Sequence, residues 1–74
     1  MTTLANNEQT SISQGVYAFD VTGAMELQWR PASVFKTLSD GTFTGGADGT
    51  IELPETTIKV INGGGNTITL KKVR

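Results

Sequence analysis

The chain has no cysteine and no histidine. Without cysteine there are no disulfides and no thiolate metal sites. Without histidine there is no Ser-His-Asp arrangement and no imidazole ligand, so zinc, copper or iron would have to be held by carboxylates alone, a poor set for any of them. Charge is sparse as well: six Lys and Arg stand against seven Asp and Glu, for a net charge of −1. That balance creates no field able to gather nucleic acid or an anionic membrane. Lys71, Lys72 and Arg74 gather at one end and read as a solvated strand end. No apolar run approaches the roughly 18 residues a membrane span needs. The opening Met1-Thr2-Thr3-Leu4-Ala5-Asn6-Asn7-Glu8 lacks the basic start and apolar stretch of a signal peptide. Neither nucleic acid nor membrane is expected as a partner, no metal or cofactor is expected, and synthesis in a cytoplasm is.

The 74 residues leave room for one domain. A domain of about this size buries only about 60% of the surface its unfolded chain exposes, and small domains are commonly reinforced by disulfides, metals or assembly. With the first two removed, assembly or docking onto a larger body remains.

Helical periodicity is nearly absent, while β-branched and aromatic residues alternate with polar ones in short runs. In Val16–Thr22 the alternation places Tyr17, Phe19 and Val21 on one strand face. In Met25–Arg30 it places Met25, Leu27 and Trp29 on one face and Glu26, Gln28 and Arg30 on the other. Only a short turn at Gly23 and Ala24 separates these runs, which predicts a tight hairpin with Gly23 at positive φ. Thr57–Asn62 and Asn66–Lys71 repeat the arrangement across Gly63-Gly64-Gly65, with Ile58, Val60, Ile68 and Leu70 inward and Ile61 outward. Between the halves lie a strand-like Val34–Leu38 and two turn signals, Asp40-Gly41 and Asp48-Gly49. The 40–49 stretch is expected to be a short hairpin or a mobile loop.

Displacing the chain by 41 positions aligns the halves in pattern. Tyr17 falls on Ile58, Phe19 on Val60, Gly23 on Gly64, Leu27 on Ile68 and Trp29 on Leu70. The expected fold is therefore all-β: a small single-domain β-sandwich or barrel of about six to eight short antiparallel strands, built as two similar hairpin halves. Residues 1–7 form an N-terminal arm, flexible or pairing with a partner's edge, and residues 8–74 the single β domain.

Several segments together resemble small structural proteins of tailed bacteriophages. They are Gly15-Val16-Tyr17-Ala18-Phe19-Asp20-Val21-Thr22-Gly23, Met25 to Trp29, Asp40-Gly41-Thr42-Phe43-Thr44, Ile51-Glu52-Leu53-Pro54 and Lys59-Val60-Ile61-Asn62-Gly63-Gly64. The resemblance spans about Thr10 to Val73. It departs from the family pattern at Glu55-Thr56-Thr57-Ile58, where Gly and Tyr are expected, and in a short segment between Trp29 and Asp40. It implies a non-enzymatic virion component, foremost a head decoration or cement protein bound to the major capsid protein. The subunit would be a homo-oligomer, with a trimer favoured, attached by apolar and strand-edge contacts. A tail or fibre module that reads a host-surface glycan is the alternative, and it requires Trp29 or Phe43 in an exposed groove.

The glycine-rich stretches read as turns, since no Gly-Lys-Ser/Thr or helix follows Asn62–Asn66. The carboxylates Glu52 with Glu55, and Asp20 with Glu26, are the only candidate acid–base pairs, and solvated strand faces account for them. Protein-contact candidates are Leu4, Arg30, Phe35, Phe43 and Ile61: Leu4 lies alone in a polar arm, Phe35 and Phe43 in the irregular middle, and Arg30 and Ile61 point outward.

Overall fold

Alternating apolar residues fold as strands here because period-two patterning buries one face of each strand against a facing sheet. In the computed structural model, which describes residues 1–74, eight strands form: β1 (Thr2–Ala5), β2 (Gln9–Ile12), β3 (Gly15–Val21), β4 (Met25–Trp29), β5 (Lys36–Phe43), β6 (Asp48–Leu53), β7 (Thr56–Ile61) and β8 (Thr67–Lys72). They make two four-stranded antiparallel sheets, ordered β1-β8-β3-β6 and β2-β7-β4-β5. The fold is thus all-β and sandwich-like, with a core drawn from both sheets: Leu4, Tyr17, Val21, Ile51, Leu53, Ile68 and Leu70 from the first, Met25, Leu27, Phe43, Ile58 and Val60 from the second.

The two short turns behave differently from hairpins. β3 and β4 do not pair, nor do β7 and β8; each turn carries the chain from one sheet to the other. The same crossing occurs at every connection except β4 to β5, the one consecutive pair that shares a ladder. Gly23 correspondingly has no positive φ. Its hydrogen side chain matters for space instead, because a Cβ there would lie 2.5 Å from Asn66 Oδ1. The Thr22 hydroxyl donates to that same oxygen at 3.2 Å and accepts from the Thr67 N–H at 2.8 Å, tying the two crossing turns together.

The repeat survives as topology. Exchanging β1 with β5, β2 with β6, β3 with β7 and β4 with β8 turns one sheet order into the other. At an offset of 41 the β3–β6 pair Tyr17↔Ile51 becomes Ile58↔Thr10, a pair of the β2–β7 ladder. For β4 and β8 the ladders require 43 rather than 41: Leu27↔Val60 becomes Leu70↔Phe19. Leu27 is therefore matched by Leu70, and the longer glycine turn absorbs the two extra residues. A two-residue slip keeps every side chain on its face, so the alternation alone could not reveal it.

The 40–49 stretch is mostly strand. Asp40-Gly41 lies inside β5, where the ladder to β4 jumps between Glu26↔Thr42 and Gln28↔Thr37 and leaves a wide bulge. Gly41 is buried there, and a Cβ would come within 2.9 Å of the Leu27 carbonyl oxygen. Asp48-Gly49 opens β6.

Candidate functional site

The outer face of the second sheet gathers three of the five contact candidates. On β4 the residues between the buried Met25 and Leu27, and beyond them, are Glu26, Gln28 and then Arg30; on β7 the alternates of Ile58 and Val60 are Thr57, Lys59 and Ile61. The ladder sets Glu26 opposite Ile61 and Gln28 opposite Lys59, and the Arg30 N–H donates to the Thr57 carbonyl at 3.2 Å. Edge strand β2 adds Gln9 beside Lys59 and Ser11 beside Thr57.

Over this face lies Phe35, at the end of the segment joining β4 to β5. Its ring centroid is 5.5 Å from the Arg30 guanidinium carbon and 5.4 Å from the Lys59 ammonium nitrogen. Both cations are within the range where the negative face of an aromatic ring attracts them. Ile61, half-buried, follows Lys59 by two residues on the same face, and Val34, 64% exposed, precedes Phe35. The Asn62 amide donates to Glu26 Oε2 at 3.2 Å, holding the acid at the far end of the stripe. The result is a small apolar and cationic patch on an otherwise polar sheet.

The other two candidates sit elsewhere. Leu4 is buried in β1, directly opposite Ile68. The arm is thus an edge strand of its own chain, because a single leucine reaches the core from the outermost position of the first sheet. Phe43 is buried opposite Met25, its ring 4.7 Å from that of Phe19 at a 50° tilt. These two residues are counterparts: Leu4↔Ile68 in one sheet corresponds to Phe43↔Met25 in the other. Trp29 and Phe19 are half-buried against the core, and Tyr17 is buried with its hydroxyl donating to the Ser13 carbonyl at 2.7 Å. Phe35 is consequently the one aromatic ring outside the core assembly.

Two shallow clefts lie at the end where β2 turns into β3 and β6 into β7. One, of about 330 Å³, includes Gln14, Val16, Glu52 and Arg74; the other, of about 370 Å³, includes Ser11, Arg30, Glu55 and Thr57. They are images of each other under the repeat. Glu52 and Glu55 therefore line different clefts, one carboxylate in each. Asp20 and Glu26 stand in different sheets, and Asp20 is opposite Asp48 instead. No group of three or more acidic residues converges on a metal-sized space. Sequence reading missed the paired clefts, although the 41-residue repeat was the signal that could have found them, since a feature at one turn recurs at its counterpart.

No protein-family model matches the chain, and comparison with curated proteins and with solved structures gives no significant match.

Proposed function

We propose that the chain is a non-enzymatic structural subunit that binds other protein subunits through the outer face of its second sheet. The observation that carries this reading is Phe35, an aromatic side chain held outside the core by Arg30 and Lys59. Aromatic and arginine side chains ringed by polar groups form the energetic centres of protein interfaces. The two cations favour a partner surface that brings carboxylates around an apolar socket. Edge strands β1, β6, β2 and β5 offer backbone groups for additional strand pairing.

The assembly we propose is a virion, with the chain as a head decoration or cement protein seated on the major capsid protein after synthesis in the host cytoplasm. This setting is supported by the resemblance of residues 10–73 to small structural proteins of tailed bacteriophages. A homo-oligomer, a trimer where capsomers meet, belongs to the same proposal. A glycan-reading module would need an aromatic platform, and with Trp29 and Phe43 turned inward only Phe35 is left to supply one.

Sedimentation of the purified chain with DNA-free heads of a tailed bacteriophage tests the proposal. Truncating or reversing a central anchor costs about 2 kcal/mol or more, near thirtyfold in affinity. Phe35→Ala, and Arg30→Glu with Lys59→Glu, are each expected to lower binding by that order while the circular dichroism stays unchanged. Binding that ignores both variants, or a chain that remains in the supernatant with every shell, overturns it.

A further inference from the structure

We infer that the chain exchanges halves with a second copy of itself, β1–β4 of one molecule completing a sandwich with β5–β8 of the other. Each of the six ladders joins a strand of the first half to a strand of the second: β1 to β8, β2 to β7, β3 to β6, β3 to β8, β4 to β5 and β4 to β7. Neither half contains a ladder of its own. Of 39 backbone hydrogen bonds, 29 lie within the strands, and among the other 10 only Glu8 to Ala5 and Asn66 to Gly63 stay inside one half. The core is divided in the same way, with Leu4, Tyr17, Val21, Met25 and Leu27 meeting seven residues of the other half.

The halves are covalently joined by Arg30–Phe35 alone. Arg30 to Val34 are exposed, and beyond Arg30 no residue of this segment makes a backbone hydrogen bond within the chain. Six extended residues span about 20 Å. Opening this segment lets every ladder and core contact re-form between two chains, with the linker as the only part that changes. The smallest closed product is a dimer, and a ring of three closes by the same rule. A short linker holds its two ends at an effective concentration in the millimolar range, so dilute chains close on themselves. Folding at higher concentration, or loss of the turn, directs them to each other. This inference stands apart from the virion reading and needs no other protein.

Two variants carry the test. Leu27→Lys disables the first half and Ile68→Lys the second, since both side chains are fully buried. Each variant refolded alone is expected to remain unfolded. Refolded together, they form one intact sandwich from the two undamaged halves, restoring about half of the native β signal and Trp29 fluorescence in a species containing both chains. A mixture that stays unfolded overturns the inference. Independently, deleting Arg30–Phe35 joins Trp29 to Lys36 and leaves no residues for a turn, whereas a hairpin needs about two. That chain is expected to sediment as a closed dimer or trimer, and a folded monomer contradicts the exchange.

Discussion

Leu27 is fully buried on the central strand β4, between ladders to β5 and β7. Replacing it by alanine is expected to cost about 2–5 kcal/mol. A 74-residue domain holds on the order of 4–11 kcal/mol in total, so urea denaturation of Leu27→Ala is expected to show a transition shifted by a large part of its range. Gly41 and Gly65 give a sharper contrast. A methyl at Gly41 meets Leu38 Cβ at 2.8 Å and the Leu27 carbonyl oxygen, while at Gly65 it meets nothing. Gly41→Ala is expected to destabilise by about 1–3 kcal/mol, and Gly65→Ala to be neutral or stabilising by up to about 1 kcal/mol, read from the same denaturation curves. Equal effects at the two positions would remove the close approach from the account. At this scale the sequence showed which face most core residues take, including Tyr17, Leu27, Val60 and Ile68. It did not show that Leu4 and Phe43 are core. One apolar residue in a polar run looks the same in a free arm and in an edge strand, and what decides is a partner such as Ile68, far along the chain.

β1 and the 40–49 parts of β5 and β6 read as an arm and as a hairpin or loop, whereas β3, β4, β7 and β8 were legible because alternation is a local property. Their pairing was not. A short glycine turn serves a hairpin and a sheet-to-sheet crossing equally well, and the alternation on either side is identical in both. The difference appears only in which strand supplies the hydrogen bonds. Thr3 and Thr69 stand opposite each other with their hydroxyl oxygens 3.2 Å apart, so Thr3→Cys with Thr69→Cys is expected to form a disulfide on air oxidation. Closing a loop of this length stabilises by about 4 kcal/mol in the chain-entropy description, measurable as a rise in urea midpoint that dithiothreitol abolishes. Asp20→Cys with Glu26→Cys would bridge the arms of a β3–β4 hairpin, and in two separate sheets it is expected to remain reduced. The patch formed by Arg30, Phe35 and Ile61 was half visible by the same logic. The outward direction of Arg30 and Ile61 follows from period two, whereas the placement of Phe35 over Lys59 depends on a turn with no periodic signal.

For the whole molecule, the consequence of these pairings is that neither half can pair its strands without the other. The first ladder of the sheet joins Thr2 to Leu70, nearly the full length of the chain. Folds dominated by such distant pairings form in milliseconds to seconds, far slower than helical domains of equal size. Stopped-flow refolding monitored at Trp29 is expected to fall in that range. At this size, and with no cysteine to form disulfides, the fold rests on one shared core to which both halves contribute, and its outer faces and edges are the surfaces that the proposed assembly would use. The most direct check is the pattern of cross-strand nuclear Overhauser effects in the labelled protein. Contacts between the backbones of Phe19 and Leu70, Leu27 and Val60, and Tyr17 and Ile51 are expected, with none linking Phe19 to Leu27. A ladder of contacts running between residues 16–21 and 25–30 would show that each half pairs with itself, and would contradict the interlocked sandwich.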